Sequence, residues 1–186
     1  MEETSHEPAM VWLFVRRHFV RTAIGAVLIA AAYGVVSVYA TYHREQRIVR
    51  KIESLQGEVM FDWVGPDWIP QSVQDRLPFL NRIYYVRLME AGVIPELILE
   101  LESPAKLRSL GLFNTDATDA DMEHLKVLTK LKYLYLNDTR VADAGVEHFK
   151  GLTSLVRLNL NNTRVTAEGR ATLQRALPNC KIEPNL

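Results

Sequence analysis

The chain has 186 residues, with 22 Lys+Arg against 22 Asp+Glu, 48% apolar residues and one cysteine. A formal net charge of zero removes the broad attraction to phosphate on which non-specific nucleic-acid binders depend, so no nucleic-acid partner is expected. One cysteine excludes an internal disulfide and a cysteine-rich zinc centre, so packing alone must hold the fold.

Residues 1–21 read as an N-terminal tail. From Thr22 to Tyr42, 21 consecutive residues carry no formal charge and 16 of them are apolar. At about 1.5 Å per residue, such a helix spans roughly 30 Å, the thickness of a bilayer's hydrocarbon core. The run predicts a transmembrane helix over 22–42. Arg16, Arg17 and Arg21 precede it, and Arg44, Arg47, Arg50 and Lys51 follow; Tyr33, Tyr39 and Tyr42 crowd toward its C-terminal half, where an aromatic belt would sit. A cleavable signal peptide is the alternative, with a cut near Val38-Tyr39-Ala40. The basic region would then be too long, and the apolar run exceeds the usual span of about 7–15 residues, so an uncleaved anchor is expected. Basic residues on the two sides nearly balance, and the reading adopted places the C-terminal part on the extracytoplasmic side.

Residues 43–56 continue as a helical linker, with Ile48, Ile52 and Leu55 on one face and Gly57 as a stop. Residues 57–82 read as a capping region. Val59, Phe61 and Trp63 alternate, predicting a half-buried strand with those three facing one way, and Gly65-Pro66 and Pro70 break regular structure beyond it. Trp63 and Trp68 offer either a binding surface or a plug on the core's open end; packing is the expected role of such aromatics.

Residues 83–186 carry a repeat of 24 residues. Leu107, Leu110 and Leu112 align with Leu131, Leu134 and Leu136 and with Leu155, Leu158 and Leu160; Thr115, Thr139 and Thr163 coincide, as do Ala117, Val141 and Val165. Met122 aligns with Val146, and Leu125 with Phe149 and Leu173. One step back, Ile83, Val86 and Leu88, followed by Val93, Ile98 and Leu101, form a degenerate first unit. Units therefore start near residues 83, 107, 131 and 155, with a half-unit near 179. Alternation puts Leu134 and Leu136 in the core and Tyr133, Tyr135 and Asn137 on the opposite face. The segment 142–152 repeats apolar residues every third position, predicting a helix behind the strand. Thr118 and Thr166 are candidate N-caps, and Asp119, Asp121, Asp143 and Glu168 lie near the positive helix ends.

In its pattern LxxLxLxxTxV, best seen from Leu131 to Val146, the chain resembles the leucine-rich repeat family over about Ile83 to Ile182. With its N-terminal anchor it is similar to the short membrane-anchored leucine-rich repeat proteins of planctomycete-type bacteria. The resemblance implies an α/β fold, a solenoid of parallel strands and helices in 24-residue units preceded by a single transmembrane helix. It is nearly silent on function. The chain departs from the pattern where Thr115, Thr139 and Thr163 replace the usual Asn or Cys; their hydroxyls are expected to satisfy turn backbone. Arg170 replaces an apolar residue, with Ala171 and Leu173 expected to pack instead. The first unit carries Pro95 and Pro104, with Ala91 in place of Thr.

No phosphate loop, matched nucleophile and base, or HExxH spacing occurs in the chain, so no cofactor and no enzymatic activity are expected. The one acid-base or metal candidate is the pair of Glu-His dipeptides at His124 and His148, one repeat apart; with no further ligand converging, the reading adopted is polar positions on solvated helices, duplicated with the repeat. Cys180 reads as a capping residue. Asn137-Asp138-Thr139 and Asn161-Asn162-Thr163 fit the glycosylation sequon but fall on the repeat's turn. The better candidate is the open face of the sheet. Its outward positions are Tyr85, Arg87 and Met89, then Ser109, Gly111 and Phe113, then Tyr133, Tyr135 and Asn137, then Arg157, Asn159 and Asn161. Tyrosine and arginine are common anchors of protein interfaces. Tyr85, Arg87, Phe113, Tyr133, Tyr135, Asn137, Arg157 and Asn159 are therefore the candidate contacts for an unidentified protein partner, alongside the lipid bilayer around residues 22–42.

Overall fold

The computed structural model describes residues 7–89, 95–101 and 107–183, with side chains from residue 25 onward except at 95 and 96. Ala91, Val93 and Pro104 lie outside the described residues, as do the side chains of Arg16, Arg17 and Arg21. The chain divides into two units, Met1–Thr41 and Tyr42–Leu186.

A single helix, α1 (Glu7–Ser54), runs through the boundaries expected between tail, span and linker. Among the described residues of the first unit, Val27, Leu28, Ile29, Val35 and Val36 are all exposed. Among the described residues, the part of this helix from Gly25 to Ser54 is long and apolar enough to cross a membrane.

In the second unit, the end of α1 packs into the core through Ile48 and Ile52, both fully buried, with Leu55 against its edge. The chain then forms β1 (Glu58–Trp63), a short helix α2 (Gln71–Gln74), β2 (Asn81–Met89) and α3 (Pro95–Leu101). After these come β3 (Ser109–Phe113), α4 (Asp119–Met122), β4 (Tyr133–Tyr135), α5 (Asp143–Val146), β5 (Arg157–Asn159), α6 (Ala167–Ala176) and β6 (Lys181–Glu183). The six strands make one sheet in chain order. β1 pairs antiparallel with β2; every later pair is parallel.

Register follows the 24-residue period through every parallel pair. Val86, Leu110, Leu134, Leu158 and Ile182 stand side by side, as do Tyr85, Ser109, Tyr133, Arg157 and Lys181. The first row points into the core, where Val86, Leu110, Leu134 and Leu158 are fully buried. Each such side chain contributes roughly 1.5–3 kcal/mol by leaving water.

The return segments differ from the expected helices in an informative way. Met122, Leu125 and Leu128, like Val146, Phe149 and Leu152, recur at strict threes and are all buried. Each return starts as one α-turn and tightens into a 3-10 helix, over Glu123–Val127 and Glu147–Phe149. Three residues per turn keep that stripe on one face, and the longer rise of about 2 Å per residue covers the return within a short repeat. In α6 the buried residues are Gly169 and Leu173, with Leu177 just beyond, spaced by four, and the helix stays α for 10 residues.

Three expectations are corrected. Phe61, expected to be half-buried with Val59 and Trp63, is 41% exposed; the bulge opposite it skips Tyr84 on β2, so the alternation along β1 itself is unbroken. Trp68 plugs nothing: it is 81% exposed. In the last unit Leu173 carries the packing while Ala171 is exposed. Arg170 is half-buried and donates to the carbonyl of Val165 at 2.7 Å.

Candidate functional site

The turn after each strand sets the geometry of the open face. Asn114, Asp138 and Asn162 occupy the left-handed region, with φ of 49°, 60° and 54°. Asn and Asp tolerate that conformation best among residues with a Cβ. The next residue in each repeat is the threonine, and its hydroxyl donates to the carbonyl three residues back: Thr115 to Leu112 at 3.1 Å, Thr139 to Leu136 at 2.6 Å, Thr163 to Leu160 at 2.7 Å. The threonine row thus has the structural role expected of it. Both sequons fall on this turn.

A polar groove of about 530 Å³ runs along the same row, lined by Asp116, Asp138, Arg140, Asn162 and Arg164 among others. Its polar groups largely satisfy one another. Arg140 pairs with Asp116 at 2.9 Å, and Asn162 Nδ2 donates to Asp138 at 2.8 Å. Bonds from Asn137 and Asn162 hold the Asp138 carboxyl below its ordinary range.

On the open face of the sheet, Phe113 and Tyr135 stack, with ring centroids 5.5 Å apart and planes 29° off parallel. The stack exists because Gly111 leaves room. A Cβ there would lie 2.5 Å from the Phe113 ring, which folds back over the glycine and meets the next repeat. Gly111 is consequently buried, although its register puts it on the outward row; Ser109, flanked by Tyr85 and Tyr133, is buried as well. Tyr133 remains 38% exposed beside the stack.

Both edges of this aromatic patch carry an arginine tied to a carboxylate. Arg87 on β2 pairs with Glu58 on β1, and Arg157 on β5 lies 3.5 Å from Glu183 on β6. Tyr85, beside Arg87, has its hydroxyl pushed above the ordinary tyrosine range, chiefly by burial. Sequence reasoning missed Glu58 and Glu183. Glu183 was legible as one further step of 24 from Asn159, whereas Glu58 depends on an antiparallel pairing that the period does not encode.

Asn137 and Asn159 sit where expected but are engaged within their own turns, one by a side chain and one by the backbone. Asn137 donates to Asp138 at 2.9 Å, and Asn159 Oδ1 accepts from the Asn161 N–H at 2.9 Å. The outward residues brought together as an accessible group are Phe113, Tyr133, Tyr135 and Arg157, with Tyr85 and Arg87 at one edge.

His124 and His148 lie on successive 3-10 segments, but the neighbouring glutamates turn to lysines. Lys126 donates to Glu123 at 2.8 Å and Lys150 to Glu147. The Lys126 hydrogen bond holds the Glu123 carboxyl below its ordinary range. Among the described residues no three His, Cys, Asp or Glu side chains are placed to share a metal. Cys180 is buried, which raises its thiol pKa.

The chain matches no family model and no curated protein. Among solved structures it is similar to an internalin from Listeria monocytogenes, at 20% identity over 54% of this chain and 28% of that one, with a TM-score of 0.44. It is also similar to actin-binding site 2 of leiomodin-1, at 15% identity over 55% of this chain and 72% of that one, TM-score 0.45. A third likeness is to the leucine-rich-repeat ectodomain of a receptor kinase from Arabidopsis thaliana, at 12% identity over 74% of this chain and 88% of that one, TM-score 0.41. The chain spans little more than a quarter of the internalin's length. What makes the fold leucine-rich-repeat-like is its own 24-residue register, in which strand follows strand through one parallel sheet.

Proposed function

We propose that this chain is a membrane-anchored, non-catalytic interaction module, its units stacked as a leucine-rich-repeat solenoid, that binds a protein partner through the open face of the sheet. Residues 22–42 hold it in the bilayer, with the repeats on the extracytoplasmic side, as in the short anchored bacterial proteins it resembles. The observation that carries the reading is the Phe113–Tyr135 stack with exposed Tyr133 beside it. Clustered aromatics on a solvated sheet, flanked by arginines, have the composition of an interface centre. The flanking Arg87–Glu58 and Arg157–Glu183 pairs supply charged groups of both signs at the rim.

The test is crosslinking in native membranes, comparing the full chain with a Tyr133→Ala, Tyr135→Ala, Arg157→Ala variant. Loss of a captured protein, with the unfolding transition retained, is the expected result. A folded variant that keeps all its crosslinked partners would overturn the assignment of this face.

A further inference from the structure

We propose that the β1–β2 connection, residues 64–80, rests in the headgroup region of the same bilayer that α1 crosses, with Trp68 as its principal contact. The inference rests on the reading of residues 22–42 as a membrane span. It follows from the internal geometry of the Tyr42–Leu186 unit.

The two ends of the β1–β2 hairpin lie at different levels along α1. Glu58, where β1 begins, follows the C-terminal end of the helix. At the other end Trp63 pairs with Asn81. That end sits beside Glu45, because Arg82 Nε lies 3.7 Å from the Glu45 carboxylate, which also accepts from the Ile83 N–H. Glu45 stands three residues beyond Tyr42, about 4.5 Å along a helix axis. The polar zone on each side of a bilayer is about 5–8 Å thick, by difference between total and hydrocarbon thickness. The connection leaves the hairpin at this end, and with residues 22–42 as the span the three residues from Tyr42 to Glu45 are too few to carry it out of reach of the headgroups.

Its surface suits that position. Trp68 is 81% exposed, Val73 42% and Phe79 38%. Tryptophan is enriched at membrane interfaces because it pairs a large apolar body with one polar tip. Tyr39 and Tyr42 mark the corresponding end of the span. The connection also satisfies much of its own backbone: Ile69 N–H donates to Pro66, Val73 to Pro70 and Asp75 to Gln71, and Gln74 donates to the Ile69 carbonyl at 2.7 Å. Such a segment enters a partly dehydrated layer at lower cost than an open loop.

The test uses the full chain in phosphatidylcholine vesicles containing lipid brominated near the top of its acyl chains. Trp12→Phe and Trp63→Phe leave Trp68 as the only tryptophan. Its emission is expected to shift to the blue relative to the detergent-solubilised chain and to be quenched by the brominated lipid. In parallel, Trp68→Cys carries a nitroxide in the otherwise unchanged chain, whose other cysteine, Cys180, is buried. This label is expected to relax faster with oxygen, which partitions into lipid, than with a water-soluble nickel chelate. Unquenched emission together with a nickel-accessible label, in a chain that stays with membranes through alkaline extraction, would overturn the inference while leaving the anchor standing. Release by alkali would overturn both. A blue shift in detergent that grows with protein concentration would place a second copy of the chain on this surface instead.

Discussion

The carboxylate of Asp143 receives both the backbone N–H and the hydroxyl of Thr166, at 2.8 and 2.7 Å, across the boundary between neighbouring repeats. Asp119 does the same for the Ala142 N–H at 2.7 Å. These aspartates open helices as their position near the positive helix ends predicts, but they also bind each helix start to the next. The Thr166 hydroxyl in turn accepts from the Gly169 N–H at 3.1 Å, completing the N-cap.

This staple explains a glycine. A Cβ at Gly169 would lie 2.1 Å from Asp143 Oδ1, and one at Gly145 would lie 2.5 Å from Asp119 Oδ1. Gly169→Ala is therefore expected to cost about 1–3 kcal/mol, the usual range for overpacking. Asp143→Ala is expected to cost about 1–2 kcal/mol, since it removes the acceptor from the two donors of Thr166. In the Asp143→Ala background the glycine substitution loses most of its cost, because the clashing oxygen is gone. Urea unfolding of the four members of that cycle checks the coupling; additive effects would rule out the staple.

The left-handed turn row gives a second prediction. Asn162, at φ 54°, also donates to Asp138 in the preceding repeat. Asn162→Val is expected to lose about 1–2 kcal/mol of stability, because a β-branched residue resists that conformation. Asn162→Gly keeps the backbone and loses only the side-chain bond, so its effect should be clearly smaller. Equal losses for the two variants, measured by thermal unfolding, would refute the backbone explanation.

The parallel sheet was legible because the period fixes both register and face, from Val86 through Ile182. The strict threes of Val146, Phe149 and Leu152 also contain the 3-10 character of the returns, against the fours of Gly169, Leu173 and Leu177. What the period does not reach was not legible. The bulge opposite Met60/Phe61 inserts Tyr84 into β2, in the degenerate first unit, and neither it nor the exposure of Phe61 follows from the alternation of Val59, Phe61 and Trp63. On the open face, sequence gave the rows but not their occupancy. That Phe113 covers Gly111 and meets Tyr135 is a matter of side-chain size in neighbouring repeats. That Asn137 and Asn159 are engaged by local backbone or turn groups depends on rotamers.

The Phe113–Tyr135 stack gives a third prediction. A double-mutant cycle with Phe113→Leu and Tyr135→Leu is expected to show a coupling of about 0.5–1.5 kcal/mol beyond area burial. Gly111→Ala displaces the Phe113 ring and should abolish most of that coupling without altering Tyr135. A coupling unchanged in the Gly111→Ala background would show that the ring does not depend on the space above the glycine.

Glu45 supplies a pH dependence. It is buried beside Ile48 and Ile83, beyond the uncharged run that ends at Tyr42. Burial raises its carboxyl from 4.5 to about 7, and the Arg82 guanidinium and the Ile83 N–H offset only part of that. At pH below 4.5 the carboxyl is protonated in both folded and unfolded chains. Between 4.5 and about 7 the unfolded chain gives up the proton while the folded chain keeps it, so stability from this group falls as pH rises and levels off above 7. The gap corresponds to roughly 3 kcal/mol. Glu45→Gln removes the titration while preserving shape, so the variant should gain on the parent as pH rises through that window and match it most closely in acid. Chemical unfolding of both chains across the window, in the same detergent, checks the sign: a variant whose advantage shrinks with rising pH would mean that Arg82 holds Glu45 ionised in the fold.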